Sequence, residues 1–329
     1  MSISRRDLFS LVTYGFGAVL LSACGRGPDQ PAAPVSLTAV PGLTPIVVAQ
    51  ALQELGFEAF ANAVKIYEDE QYLYVESNGL PAHPMMVGIR SWQQQVPLPQ
   101  PYIGNNAWKI PRHPVLAEEP ISAKHALYRG AIALAVNGVP IFNALNNRGD
   151  DAYLFGELDE WGGHAGRADD YHYHVAPLHL TELVGIDKPI AYALDGFPIY
   201  GLTETDGSAV TDLDEFNGHF APDGNYHYHA TKRFPYINGG MRGVVAVQDD
   251  QIDPQPRTTP IRPSLEPLAG AVITNFDVLG SNAYRLEYQI NGLKSSVNYH
   301  FEGNQYTFEF IDATGQKRVE TYTARAASS

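Results

Sequence analysis

The sequence contains very little sulfur. Its 329 residues include one cysteine and four methionines. A single cysteine excludes an intrachain disulfide and any metal site made only of thiolates, and the few methionines count against a Cu(I) shuttle. Eleven histidines accompany that one cysteine. Metal chemistry in this chain would therefore have to use imidazole and carboxylate ligands.

Basic side chains are also scarce. There are 22 Lys and Arg against 36 Asp and Glu, which gives a formal net charge of −14. This balance excludes nucleic acid as the main partner and electrostatic docking on anionic lipid, because both need a basic surface. Only 18% of residues are charged, whereas Gly, Pro and Tyr are abundant at 30, 24 and 19 residues. The composition favours a turn-rich, mainly β protein, and 44% hydrophobic residues exclude disorder for most of the chain.

A long, uninterrupted hydrophobic run is missing near the N-terminus. The apolar stretch from Leu8 to Ala23 is interrupted by glycines and is too short for a good membrane span. It follows Arg5-Arg6 and ends in small residues, which predicts a signal peptide over residues 1–23. The arginine pair before Asp-Leu-Phe resembles a twin-arginine (Tat) signal, and an ordinary secretory signal is the alternative.

The single cysteine lies directly after this segment. Leu-Ser-Ala-Cys24 resembles the lipobox of bacterial lipoproteins, in which the cysteine is acylated; a buried or free thiol is the alternative. We therefore predict an exported protein, lipid-anchored in the bacterial cell envelope on its periplasmic side, that contacts the membrane through lipidated Cys24. Residues 24–42, rich in Pro, Ala and Gly, would form a flexible tether.

The remaining sequence divides into four parts. Residues 43–71 predict a helix that ends at Gly56 and then a strand, and residues 72–247 predict a duplicated β-domain. Residues 248–269 are Pro-rich and indicate a linker or a wrapped extension. Residues 270–329 alternate between apolar and polar side chains and predict a small C-terminal β-sheet. The expected fold class is mainly β: a duplicated antiparallel β-domain with few short helices, plus this sheet.

An internal repeat relates residues 133–174 to residues 191–229. Three segments match: 133–143 with 191–201, 158–164 with 213–219, and 170–174 with 225–229. The third pair contains Tyr-His-Tyr-His in both copies. A motif of this kind rarely arises by chance, and two copies in matching register indicate a duplication.

Each repeat supplies three histidines with H-x7-H-x-H spacing. The two triads are His164, His172 and His174, and His219, His227 and His229. In a strand, residues i and i+2 point to the same face, so H-x-H brings two imidazoles together while the tyrosines pack on the other face. A glycine turn would return the third imidazole. Three neutral imidazoles with an open position form a catalytic type of site for Zn, Fe, Mn or Cu.

Other interpretations of the triads stay open. Histidines in a Tyr-rich sheet are often core residues that hydrogen-bond to a tyrosine or a carbonyl. One repeat could also bind metal while the other keeps structural histidines. If both bind metal, the triads could form two mononuclear sites or one shared dinuclear site.

Four further residues are candidate acid–base groups. Asp195 is present only in the second repeat and Asp170 only in the first, while Tyr173 and Tyr228 belong to the motif itself. Asp195 precedes a glycine, so a turn residue is the alternative. Weaker candidates are His83, His113 and His179, and the loop with Arg233, Tyr236 and Arg242, which could attract an anionic substrate.

The motifs in residues 72–247 resemble the YHYH-domain family of extracytoplasmic proteins. The resemblance rests on both Tyr-His-Tyr-His copies, on Asp195-Gly-Phe-Pro-Ile-Tyr-Gly, on Trp-Gly-Gly-His164 and on Glu76-Ser-Asn-Gly-Leu-Pro-Ala-His-Pro. It implies a secreted or lipid-anchored protein and no particular reaction.

Three functions are compatible with these patterns. The first is a metalloenzyme that uses the histidine triads for hydrolytic or redox chemistry. The second is a non-catalytic metal-binding or trafficking lipoprotein. The third is a β-module that binds a glycan or another envelope ligand and uses its histidines structurally. Differences between the repeats favour an enzyme over a symmetric metal store, and the metal content would separate the first two from the third.

Overall fold

The computed structural model describes residues 55–324. The signal peptide, Cys24, the tether and most of the helix predicted before Gly56 therefore lie outside the described residues. Twenty strands follow one another in the described part, numbered here in chain order: β1 Lys65–Glu68, β2 Tyr72–Glu76, β3 Trp108–Pro111, β4 Leu116–Ser122, β5 Ala131–Ala135, β6 Pro140–Phe142, β7 Gly163–Ala165, β8 Tyr171–Tyr173, β9 Ala191–Ala193, β10 Pro198–Tyr200, β11 Gly218–Phe220, β12 Tyr226–His229, β13 Gly240–Gly243, β14 Ala246–Gln248, β15 Gln251–Asp253, β16 Ala271–Gly280, β17 Ala283–Ile290, β18 Leu293–Glu302, β19 Gln305–Ile311 and β20 Lys317–Thr323.

Helices are few and short, as the composition predicts. The described residues contain two 3-10 turns, Glu58–Phe60 and Gly104–Asn106, and one α-helix, α1, at His179–Val184. Within residues 55–324 no helix has the length and apolar character needed to cross a bilayer. The expected class of a mainly β fold with few short helices is confirmed.

The duplication produces an eight-stranded sheet with an internal twofold relation. Its strand order is β11-β12-β10-β9-β5-β6-β8-β7, so the second repeat occupies one half and the first repeat the other. At the centre β5 and β9 are antiparallel, and Leu134 lies opposite Tyr192, its equivalent in the other repeat. Equivalent residues of the two repeats pair with each other. The twofold axis that relates the repeats therefore passes between β5 and β9, perpendicular to the sheet. The two histidine hairpins therefore lie near opposite edges, on equivalent faces.

The centre of this sheet is covered on both faces. All five residues of β5, Ala-Ile-Ala-Leu-Ala, are buried, which explains its continuous apolar sequence. Two pairs, β6 with β8 and β10 with β12, are parallel. The sequence pattern predicted only antiparallel pairs. The difference arises because β8 and β12 are not hairpin partners of β6 and β10, but follow them in the chain after long connections that include β7 and β11.

Smaller sheets surround this centre. β1 and β2 form a hairpin with Ile66 opposite Val75, and β3 adds a third strand. The C-terminal sheet is confirmed as an antiparallel meander of five strands, β16 to β20. It packs on the repeat domain through buried side chains, and the Tyr299 hydroxyl donates a hydrogen bond to the Pro97 carbonyl at 2.9 Å.

The Pro-rich segment of residues 248–269 lies against the repeat domain. Gln255 is buried and pairs with the backbone of Ala131 on β5, at 2.8 and 3.2 Å. Arg262 is also buried and binds Asp169, which lies in the turn before β8. Buried side chains therefore hold the segment against the repeat domain, between residues that are exposed, and the segment connects the C-terminal sheet to the first repeat.

Candidate metal centres

Each repeat builds the same hairpin from its Gly-His and Tyr-His-Tyr-His segments. In the first repeat β7 and β8 are antiparallel, and His164 lies directly opposite His172. Because side chains alternate along a strand, His174 lies on the same face as His172, whereas Tyr171 and Tyr173 point to the buried opposite face. The second hairpin, β11 with β12, has the equivalent register.

An aspartate carboxylate, buried in the first repeat and exposed in the second, shapes the turn in front of each hairpin. Asp159 accepts hydrogen bonds from the backbone of Trp161 and Gly163, at 3.0 and 3.1 Å, and from the Tyr171 hydroxyl at 2.8 Å. Asp214 accepts the equivalent three bonds in the second repeat. Burial raises the pKa of Asp159 to about 6. These shared acids hold the glycine turn that presents the first histidine of each triad.

The first centre consists of His164, His172 and His174. The Nε2 atoms of His164 and His174 are 3.1 Å apart, and one nitrogen of each ring lies within 4.8 Å of the others. Nδ1 of His174 faces the Asn143 carbonyl at 2.5 Å, and Nδ1 of His172 faces the Asp170 carbonyl at 2.9 Å. A carbonyl oxygen can only accept, so Nδ1 carries the hydrogen in both rings, and Nε2 keeps its lone pair.

The electrostatics of this centre favour a cation. Burial lowers the pKa of His174 to about 4 and holds the pKa of His164 and His172 well below the ordinary value, so all three rings are neutral at pH 7. The lone pair on Nε2 of His174 points toward Nε2 of His164 and is available to a cation between the two rings. A tetrahedral Zn²⁺ with bonds of about 2.0–2.1 Å would hold its ligand atoms about 3.3 Å apart, close to the distance observed.

The second centre adds a carboxylate to three imidazoles. Nε2 of His227 lies 3.0 Å from Nε2 of His219 and 2.9 Å from Nε2 of His229. The Glu204 carboxylate lies 3.3, 3.7 and 3.5 Å from the Nε2 atoms of His219, His227 and His229. Nδ1 of His229 faces the Gly201 carbonyl at 3.1 Å, equivalent to the bond of His174. Four donors at these spacings are sufficient for a tetrahedral ion.

The two centres are separate. In the strand order, β8 and β12 are five strand spacings apart, which corresponds to about 24 Å at about 4.8 Å per strand. The described residues form two groups able to hold a metal ion, and no group combines residues of both triads. The arrangement therefore offers two separate candidate sites, each for one ion, and one shared dinuclear site is excluded.

Asp170 lies behind the first centre rather than in it. Its carboxylate is 3.7 Å from Nδ1 of His172, on the side of the ring that faces away from Nε2. The other oxygen accepts a hydrogen bond from the Ala168 backbone at 3.0 Å, and burial raises the pKa of Asp170 to about 7. Its position suits a residue that orients His172.

Three other candidate acid–base residues lie on the opposite face of the hairpins. The Tyr228 hydroxyl donates to Asp195 at 2.5 Å, and Asp195 also accepts from the Gly243 backbone at 2.9 Å. The Tyr173 hydroxyl binds the Asn137 amide at 3.1 Å. Burial raises the pKa of Asp195 and of both tyrosines. The structure does not bring these side chains to the imidazoles of either triad. They form buried hydrogen bonds within the core instead.

The weaker candidates are also outside the two centres. His83 bonds to the Tyr173 hydroxyl at 2.8 Å and lies against His179 on the tyrosine face of the first hairpin. Arg242 donates to the Ala117 carbonyl at 3.1 Å, and the Tyr236 hydroxyl binds Asp151 at 2.8 Å. The loop that carries them does not line the cavity at either centre.

Glu204 is the ligand candidate that the sequence analysis missed. It lies in a loop closed by the bridge of Thr203 with Ala209, equivalent to the bridge of Leu145 with Asp151 in the first repeat. In the repeat alignment it corresponds to Asn146, so the difference was visible in the sequence. The local H-x-H pattern gives no indication that this loop folds over the hairpin.

The structure is that of a β-protein with one histidine-rich cluster able to hold a metal ion in each of two repeats. Residues 107–211 match the family model described as "YHYH protein". The chain thus contains a YHYH domain, and the resemblance drawn from its motifs is confirmed. The matched segment includes the whole first triad and Glu204, and ends before His219. No curated protein and no solved structure gave a significant match.

Proposed function

We propose that the protein binds one divalent transition-metal ion, Zn, Fe, Mn or Cu, in each repeat, and that the first centre is reactive. The observation that supports this best is the convergence of neutral Nε2 atoms at about 3 Å in both repeats, with Nδ1 of His174 and of His229 directed at backbone carbonyls. Such carbonyls fix the tautomer of metal-ligating histidines in general.

The two centres suit different tasks. Three imidazoles leave a fourth position open, which is typical of catalytic metal sites, whereas four protein ligands are typical of structural ones. The first centre also opens into a cavity that has room for a substrate. We therefore assign hydrolytic or redox chemistry to the first centre. Metal retention without catalysis is the second candidate function, and Glu204 favours it for the second centre.

Elemental analysis tests the metal proposal directly. The exported protein is expected to contain two equivalents of transition metal, and His172→Ala and His227→Ala are each expected to contain one, because each removes a ligand from a different centre. Glu204→Gln should lower occupancy of the second centre only, since the amide keeps the shape and loses the charge. The measurement is metal per chain by mass spectrometry after removal of free metal.

A matched control separates ligand loss from general damage. His300 is an exposed histidine on β18, so His300→Ala should keep both equivalents. Wild-type protein with less than half an equivalent of any transition metal would exclude the proposal. Loss of both equivalents in every variant would argue for misfolding, and circular dichroism of each variant identifies that case.

We further propose that the protein acts in the cell envelope, with lipidated Cys24 in the membrane. The support is the lipobox-like sequence that ends at the single cysteine of the chain. The wild-type protein is expected in the membrane fraction of an expressing bacterium, and Cys24→Ser in the soluble periplasmic fraction. Equal distribution of the two proteins, measured by immunoblot after fractionation, would exclude the lipid anchor.

A further inference from the structure

The cavities at the two centres carry opposite charge. The cavity beside the first triad, of about 500 Å³, is lined by Arg129, Arg148 and Arg167 and by one acid, Glu157. These side chains give a formal charge of +2. The cavity at His219, of about 710 Å³, is lined by four acids and by no Lys or Arg, a formal charge of −4. A positive cavity is unexpected in a chain whose net charge is −14.

The difference arises at equivalent positions of the repeats. The backbone bonds of Asn146 with Asp150 and Gly149 correspond to those of Glu204 with Ser208 and Gly207. By this register Asn146 occupies the place of Glu204, and Arg148 occupies the place of Asp206.

The second arginine follows the same pattern. The turn from Gly166 to Asp170 corresponds to the turn from Ala221 to Asn225, so Arg167 occupies the place of Pro222. The first repeat thus has arginines where the second has an acid and a proline.

Two of the three arginines are available to a ligand. Arg148 is bound to Glu157 at 2.5 Å and to Asp150 at 3.2 Å. Arg129 and Arg167 form no ion pair with another residue in the described range 55–324. Both are exposed at the cavity, so no buried charge partner has to be displaced before they bind an anion.

We propose that the cavity of the first centre binds a small ligand through an oxyanion group, a carboxylate or a phosphate. The inference deepens the proposed function and rests on it, because the open coordination position of the first centre is the second contact of the ligand. Guanidinium groups match such oxyanions with two parallel hydrogen bonds, and positive side chains in a concave site concentrate anions. A cavity of this size accepts a small molecule.

The same chemistry excludes this ligand from the second centre. The Glu204 carboxylate occupies the coordination position that an anion would need, and Asp206 and Asp212 line the approach. The negative charges of these three side chains repel an incoming anion. One anion site per chain is the expected stoichiometry.

Calorimetric titration of the metal-loaded, full-length protein tests the inference. The probes are inorganic phosphate, a tetrahedral oxyanion, and acetate, a planar one; comparison of the two identifies the preferred class. The double variant Arg129→Gln, Arg167→Gln is expected to weaken binding of the preferred probe by about a hundredfold, since each of the two charge-assisted hydrogen bonds contributes about tenfold. Its metal content should stay at two equivalents. Asp206→Asn, at the second cavity, is the matched control and should bind as wild type.

The outcomes separate this inference from the metal proposal. If both equivalents of metal are present and neither probe binds, or the double variant binds as well as wild type, the inference is wrong and the metal proposal stands. If the first centre holds no metal, the metal proposal fails by elemental analysis, independently of calorimetry, and the inference fails with it. A stoichiometry of two anions per chain would also overturn the inference.

Discussion

Replacing Arg262 by methionine is expected to lower the free energy of unfolding by about 3–5 kcal/mol. The guanidinium binds both oxygens of Asp169, with Nη2 to Oδ1 at 2.7 Å and Nε to Oδ2 at 2.8 Å. The two side chains are only 5% and 3% exposed. Methionine fills similar space but leaves the Asp169 charge buried without its partner, and this uncompensated charge is the source of the cost.

Arg262 contacts three parts of the fold, so its replacement is expected to destabilise the whole described structure rather than one segment. Its Nη2 also donates to the Gln94 carbonyl at 2.6 Å, and its guanidinium lies 4.7 Å from the ring centre of Phe308 on β19. Asp169 in turn accepts a hydrogen bond from the Val96 backbone at 2.9 Å. One ion pair therefore connects the Pro-rich segment, the first repeat and the C-terminal sheet.

A control variant in the same segment isolates the effect of burial. Arg257 pairs with Asp253 at 3.2 Å, but the two side chains are 54% and 44% exposed, so Arg257→Ala should cost less than about 1 kcal/mol. Urea midpoints of both variants, at an unchanged slope, provide the measurement. Equal midpoints for the two variants would show that the buried pair does not stabilise the fold.

The histidine triads were predictable because their geometry is local. Alternation along a strand brings His172 and His174 together, and a glycine turn places His164 opposite them. The same alternation turns Tyr173 and Tyr228 to the other face of the strands. Their position outside the two centres could therefore have been predicted together with the histidine triads. Asp195 was ambiguous in the sequence, because only the fold shows that it lies beneath Tyr228.

Long-range packing determined what the sequence analysis missed. Glu204 reaches the second centre from a loop that precedes β11 by more than ten residues, and the cavity arginines come from three separate loops. No spacing rule connects such residues, because loop paths depend on tertiary contacts. The repeat alignment nevertheless shows the difference between the two centres, because the neutral Asn146 in the first repeat is equivalent to the negatively charged Glu204 in the second.

Saturation with metal is expected to raise the free energy of unfolding by about 5 kcal/mol. A ligand that binds only the folded state at one hundred times its dissociation constant adds about 2.7 kcal/mol per site, and the two centres are separate. Unfolding disperses the three histidines of each hairpin, so the unfolded chain cannot reproduce either centre. The measurement is the urea midpoint of metal-free and metal-saturated protein, with His300→Ala as a control that should respond like wild type.

Variants of each centre divide this stabilisation into two parts. His174→Ala removes a first-centre ligand that is buried and bonded to the Asn143 carbonyl, and His229→Ala removes its equivalent, bonded to Gly201. Each variant should lose part of the metal-induced increase, and His229→Ala the larger part, because the tighter centre contributes more at the same metal concentration. Because Glu204 adds a negative charge to the second centre, the second centre should also retain its ion at higher chelator concentration than the first. A midpoint that does not respond to metal, or simultaneous release from both centres, would contradict two independent centres of unequal affinity.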